Sequence, residues 1–114
     1  MATHKIAKFP GYTVNLSIEP ETDSIADHFA TGDEDTDREI VRQIEDQWNC
    51  GNDWAWCLVK IVVTHDKFGL TETEFLGACS YASEDEFVKD AYFDDMTQEC
   101  VNRMESTIAK IRAA

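Results

Sequence analysis

Residues 54–64 constrain the fold more than any other part of this sequence. The segment reads WAWCLVKIVVT, and apolar, β-branched or aromatic residues occupy most positions on both of its alternating faces. That composition is typical of a strand covered on both sides, because a solvated face would carry polar residues at every second position. We therefore expect a central strand here. A hairpin turn at 66–69, with Gly69 supplying positive φ, should lead into a return strand over about 70–81.

Hydrophobic spacing predicts the remaining elements. Apolar and polar residues alternate over 12–18, which indicates a half-buried strand. Ile40, Val41, Ile44 and Trp48 recur at helical spacing after an acidic run, so a helix is expected to begin with a capping box at Thr36 and to end near Gly51. A second capping box at Ser83 and a stripe of apolar residues over 94–112 predict one or two further helices.

The order of these elements predicts the fold class. It is β-α-β-β-α(α), which favours an α+β domain with a three-stranded antiparallel sheet packed against two or three helices. The chain has 114 residues, the size of one domain. We assign residues 11–114 to that domain and expect residues 1–10, which end in a Pro-Gly turn signal, to form a loose or edge-lying segment.

Charge is the least ordinary property of the sequence. Asp and Glu number 23 against 10 Lys and Arg, for a net charge of −13. Residues 19–53 contain twelve acids and two bases, and residues 84–105 contain eight acids and two bases. Such a chain repels nucleic acids and anionic membranes and attracts basic proteins. The alternative is that the acidity serves only to keep the protein in solution.

No motif for catalysis, metal binding or cofactor binding is evident. The three histidines, at positions 4, 28 and 65, have no metalloprotease spacing, and no nucleophile elbow, phosphate loop or dinucleotide fingerprint occurs. The acidic run at 33–37 alternates like a calcium loop, but Arg38 stands where glycine is required. The four cysteines form no CxxC pair and no apolar leader begins the chain, so we expect free thiols in the cytoplasm. Cys57 and Cys79 should be near neighbours across the hairpin, as packing residues.

Two segments carry a resemblance to a known group of proteins. They are DWAWCLVKIVV at 53–63 and FLGACSY at 75–81, followed by an acidic helix start. Over roughly residues 38–105 the sequence resembles small uncharacterised acidic proteins of tailed phages and prophages. The resemblance implies a phage or mobile-element origin and transfers no functional residue. In size and charge such proteins resemble inhibitors of CRISPR or restriction systems.

These observations lead to two hypotheses about function. The first is a non-enzymatic inhibitor that binds a basic nucleic-acid-handling protein or defence complex in the host cytoplasm. In the most specific version of this hypothesis, the protein mimics DNA. The protein itself is expected to bind neither nucleic acid nor membrane. Its expected contacts are acids of the helical regions: Asp33, Glu34, Asp35, Asp37, Glu45, Asp46, Glu84, Asp85, Glu86, Asp94 and Asp95. The second is a structural or assembly protein that forms a homodimer through an apolar sheet face. Its expected anchors are Trp54, Trp56 and Tyr81.

Overall fold

The computed structural model, which describes residues 2–4, 9–29 and 32–113, is an α+β fold with a four-stranded antiparallel sheet and three helices. The strands are β1 (Ala2–His4), β2 (Tyr12–Pro20), β3 (Cys57–His65) and β4 (Thr71–Cys79), adjacent in that order. The helices are α1 (Glu34–Asn49), α2 (Glu84–Lys89) and α3 (Ala91–Ala113). Two 3₁₀ turns, Ala26–His28 and Asp53–Ala55, flank α1.

The α+β class is confirmed, whereas the predicted number of three strands is wrong. The additional strand is β1, whose three residues pair with β2 from Ala2 opposite Leu16 to His4 opposite Val14. Part of the N-terminal segment, which we expected to be loose or edge-lying, therefore pairs as a strand at the edge of the sheet. Residues 1 and 5–8 of that segment lie outside the described residues.

The central position of β3 is confirmed, but the strand begins at Cys57, after both tryptophans of the apolar segment. The cause is a 3₁₀ turn at Asp53–Ala55, where the Asn52 side chain accepts a hydrogen bond from the Trp54 backbone N–H at 3.1 Å. At the other end of β3, Gly69 has φ of +70° and its N–H donates to the His65 carbonyl at 2.8 Å, which closes the predicted hairpin.

The core lies between one face of the sheet and helices α2 and α3. The side chains on this inner face are fully buried at Val14, Leu16, Val59, Ile61 and Val63, against residues such as Phe87, Phe93 and Met104 of the helices. The opposite, outer face is only half-buried, and Phe75 on it is 52% exposed. The expectation that β3 is covered on both faces therefore holds for its inner face alone, since its outer face lies beside the polar residues of β2 and β4.

An ion-pair network fastens α3 to the edge strand β4. The guanidinium of Arg103 lies 3.1 Å from a carboxylate oxygen of Glu72 and 3.2 Å from one of Glu74. It also donates to the Thr73 carbonyl at 3.5 Å. Glu72 and Glu74 point to the same side of β4 because they are two residues apart. One arginine thus pairs with both acids, which leaves the cluster with one net negative charge. It also contacts the backbone of β4, an edge strand whose free side could otherwise pair with another strand.

The last turn of α3 reaches the β3–β4 hairpin and forms what we call the hairpin end. Phe68, Leu70, Ile108, Ile111 and Arg112 line an apolar cavity of about 250 Å³ there. The Lys67 ammonium and the Arg112 guanidinium lie 5.7 and 5.9 Å from the centre of the Phe68 ring, within the range of cation–π contacts.

Helix α1 extends from the opposite end of β3 and packs mainly on the two 3₁₀ turns. The N-cap of α1 is Asp33, and the predicted cap at Thr36 is wrong. The Asp33 carboxylate accepts a hydrogen bond from the Thr36 backbone N–H at 3.2 Å. Ile44 is the one buried side chain of α1. The described residues span 58 × 26 × 22 Å with a radius of gyration of 17.2 Å, against about 13 Å for a compact domain of this size. The molecule is therefore elongated, with α1 as its projecting end.

Candidate protein-binding surface

Three of the acids expected to contact a partner already have partners within α1. The two carboxylate oxygens of Asp33 accept hydrogen bonds from the backbone and hydroxyl of Thr36, and the backbone bond is the main cause of the lowered pKa of Asp33. Asp35 pairs with Arg38 at 3.0 Å, one turn along the helix. Asp46 pairs with Arg42 at 3.1 Å. The first of these acids stabilises the start of α1, and the other two have guanidinium partners on the same helix, although Asp46 shares Arg42 with Glu39.

Two other acids of α1 remain available to a partner. Glu34 and Glu45 are exposed, and neither carboxylate forms an ion pair with any residue that the structure describes. Glu34 and Asp37 line an open cavity of about 530 Å³ between α1 and the first 3₁₀ turn, together with Arg38 and apolar side chains such as Phe29. This side of α1 combines charged side chains of both signs with apolar surface.

The acids of α2 lie close to α1. Ser83 caps α2 as predicted, since its hydroxyl accepts from the Glu86 N–H, and Glu84, Asp85 and Glu86 occupy the first turn, where negative charge is favoured. Glu86 lines a cavity of about 280 Å³ with Gln43 and Gln47 of α1. The structure therefore places both groups of acids at the end of the molecule where α1 projects, but on different sides of that helix, because Gln43 and Gln47 lie about half a turn around α1 from Glu34 and Glu45. We call this region the acidic end and define it by Glu34, Asp37, Glu45, Glu84, Asp85 and Glu86.

Asp94 and Asp95 lie on α3. Both are exposed near its start, Asp94 in the first turn, and their carboxylates form no ion pair within the described part of the chain. Of the eleven acids expected to contact a partner, six thus form the acidic end, two lie on α3, and three serve mainly within α1.

Averaged over its length, the molecule is much less dense in charge than nucleic acid. The thirteen surplus negative charges of the full chain, set against the 58 Å span of the described residues, average one per about 4.5 Å, whereas duplex DNA carries about one per 1.7 Å of axis. The spacing suits separate pairings with individual basic side chains more than a continuous copy of a phosphate backbone.

The three expected dimer anchors do not share one sheet face, so that part of the dimer hypothesis needs correction. Trp54 and Tyr81 contact one another and pack on Phe87, with ring centres 5.6 and 5.0 Å from that of Phe87. Trp56 lies elsewhere, is only 6% exposed, and its indole N–H donates to the Asp23 carbonyl at 2.9 Å. The 3₁₀ turn before β3 interrupts the strand alternation and sends these rings into the structure.

Three of the four cysteines are buried packing residues. Cys57 is opposite Cys79 as expected, and both are buried free thiols. Burial raises the pKa of Cys57 to about 12 and that of Cys79 to about 11. Burial likewise raises the pKa of Cys100 to about 11. Thiols with such pKa values are poor nucleophiles at neutral pH, and Cys50 alone of the four is exposed.

The described residues contain little that resembles a reaction centre. His4 stacks edge-on against Phe93, His28 lies beside Trp56, and His65 lies between Tyr12 and Phe68, so the histidines are in three separate places. No group of three or more His, Cys, Asp or Glu side chains in residues 2–4, 9–29 and 32–113 is arranged to hold a metal ion. None of the helices in these ranges has the length and apolarity needed to cross a bilayer.

Sequence reasoning missed the exposed ring of Trp48 and its surroundings. The sequence placed Trp48 on the apolar stripe of α1, yet its side chain is 49% exposed. The available signal was its position just before the helix stop at 49–52, where a stripe residue can extend past the covered part of the helix. Comparisons with protein-family models, with curated proteins and with solved structures found no match to this chain.

Proposed function

We propose that this protein is a non-enzymatic inhibitor that binds a basic nucleic-acid-handling protein through its acidic end. The observation that carries the proposal is the set of exposed carboxylates on α1 and α2 that have no ion-pair partner among the described residues: Glu34, Glu45, Asp85 and Glu86. Carboxylates left without internal partners complement arginine and lysine on another protein, speed its association and give the complex its salt dependence.

The shape of the molecule supports the same proposal. Helix α1 projects from the sheet and has a single buried side chain, Ile44, so most of its surface is accessible to a large partner. The low average charge density favours pairing with individual basic side chains in the nucleic-acid channel of the partner. It does not favour an imitation in which each carboxylate takes the place of one phosphate of a duplex. The resemblance to phage proteins makes a CRISPR or restriction complex in the host cytoplasm the first class of target to test.

A peptide-binding experiment tests the electrostatic part of the proposal. Calorimetry with a short peptide of alternating arginine and serine should show binding that weakens as salt shortens the Debye length from about 10 Å at 0.1 M to about 3 Å at 1 M. The double variant Glu34→Gln/Asp85→Asn should weaken binding. The matched control Ser106→Lys/Ala109→Lys, at exposed positions of α3, changes the net charge by the same amount and should weaken it less. Equal effects of the two variants would refute a localised acidic surface.

The inhibitory part of the proposal needs a functional assay. Purified CRISPR effector complexes and restriction endonucleases should lose duplex DNA binding when the protein is added, and Glu34→Gln/Asp85→Asn should restore DNA binding. Unchanged DNA binding across such a panel would remove the support for a defence-system target.

One observation favours a homodimer as the second candidate function. The outer face of the sheet is half-exposed and carries Phe75, which is 52% exposed, opposite Lys60 of β3. Light scattering distinguishes the two functions: a dimer held by apolar contacts of Phe75 should persist at high salt. Phe75→Ser should dissociate such a dimer and leave peptide binding at the acidic end unchanged.

A further inference from the structure

Trp48 lies at the meeting point of two small cavities beside the acidic end. One of about 200 Å³ is lined by Ile18, Glu19, Pro20, Trp48, Asp53 and Trp56. The other, of about 250 Å³, is lined by Ile25, Glu45, Trp48, Asn49 and Trp56. We call the two together the Trp48 groove. A large aromatic ring that is 49% exposed in such a concave place is more typical of a binding surface than of a core.

The charges around the Trp48 groove are negative. Carboxylates of Glu19, Asp53 and Glu45 border it, and among these Glu19 forms one long ion pair, 3.9 Å from the Lys60 ammonium. The C-terminus of α1 adds partial negative charge, because the last carbonyls of a helix point outward there. The last turn of α1 contains no basic residue to offset that charge. The site thus combines an aromatic wall with a net negative charge.

These features define the chemistry of a complementary group. The ligand must be cationic, must have an apolar stem to lie along Ile18 and Pro20, and gains most if its charged group is planar and stacks on the indole. Arginine meets all three conditions, since its guanidinium stacks on aromatic rings and can still donate to carboxylates in its plane. Lysine meets the first two, but its ammonium is compact and strongly hydrated.

We propose that the Trp48 groove binds one arginine side chain of the basic partner, with the guanidinium stacked on Trp48 and directed to the carboxylates of Glu19 and Asp53. This inference rests on the proposed function and adds a specificity determinant to it. The acidic end supplies long-range attraction for any cationic surface, and the groove selects arginine over lysine.

Two peptides of equal length and charge test the inference, one alternating arginine with serine and the other lysine with serine. By calorimetry, the arginine peptide should bind the wild-type protein about fivefold more tightly, the difference expected of a partly exposed cation–π contact. Trp48→Leu should remove that preference and leave lysine-peptide affinity nearly unchanged. Trp48→Phe, which retains an aromatic face, should preserve part of the preference. Urea unfolding of each variant verifies that the fold is intact.

The outcomes separate this inference from the proposed function. If neither peptide binds the wild-type protein, both are wrong. If both peptides bind in a salt-dependent manner but with equal affinity, or if Trp48→Leu leaves the arginine preference intact, the groove is not the arginine site and the acidic end still stands. Glu34→Gln/Asp85→Asn, which alters no residue of the groove, should weaken both peptides alike and leave their affinity ratio unchanged.

Discussion

Replacement of Arg103 by methionine should destabilise the protein by an amount that the structure allows us to calculate. The Arg103 side chain is 39% exposed, and the side chains of Glu72 and Glu74 are 33% and 32% exposed. Fully exposed ion pairs contribute about 0–1 kcal/mol, whereas breaking buried ones costs about 3–5 kcal/mol. These partly covered pairs should contribute about 1 kcal/mol each, so Arg103→Met should lower the free energy of unfolding by about 2 kcal/mol.

The assay is urea unfolding followed by circular dichroism, within a mutant cycle. Glu72→Gln/Glu74→Gln removes the acids, and the triple variant with Arg103→Met removes the whole network. If Arg103 acts through the two carboxylates, the triple variant should lose less than the separate losses combined, with a coupling of about 1–2 kcal/mol. The urea dependence of the free energy should stay constant, because the change in exposed surface is small.

A simple additive outcome would refute the reasoning. In that case the loss from Arg103→Met would reflect the packing of its hydrocarbon stem or its contact with Thr73, and not the ion pairs. Repeating the cycle at 1 M salt adds a second check, since these partly exposed pairs should lose much of their coupling there.

Three further predictions concern the core, the stability of the protein at alkaline pH and the reactivity of the thiols. Phe87→Ala should cost about 3–5 kcal/mol in urea unfolding, because Phe87 is fully buried among aromatic rings, whereas Phe75→Ala should cost far less. Burial, aided by the hydrogen bond to Glu105, raises the pKa of Tyr12 from 10.0 to about 12. Its contribution to stability should therefore be intact below pH 10 and lost as pH rises towards 12, and Tyr12→Phe should flatten that part of the pH–stability curve. A thiol reagent at neutral pH should modify Cys50 rapidly and the three buried cysteines only on unfolding, and Cys50→Ser should abolish the rapid phase.

Much of the fold could be predicted because local physics determines it. Period-two alternation located β2, the β-branched segment located β3, and Gly69 and Ser83 marked a turn and a helix start through properties of single residues. Strand β1 could not be foreseen, since three residues carry no periodic signal and depend on pairing with a distant strand. Periodicity also identified the apolar stripe of α1, but it could not show which residues of the stripe are covered by other parts of the fold. Trp48 is 49% exposed.

The candidate site was less predictable than the fold. The sequence identified the acids but not which of them have partners, although the pairing of Asp35 with Arg38 follows a helical spacing. The approach of Glu86 to α1 depends on how two helices distant in sequence meet at the end of β3. The groove around Trp48 joins residues from β2, α1 and a 3₁₀ turn, so only the folded chain brings them together.

The elongated shape has a consequence for how the molecule meets a charged partner. The carboxylates of α1 and α2 lie beyond the start of β3, while Lys67, Lys110 and Arg112 lie near its far end, in a molecule 58 Å long. Opposite charges separated along a rod experience a torque in the field of another macromolecule. A cationic partner should therefore rotate this protein during approach, so that α1 arrives first and fewer encounters begin in an unproductive orientation.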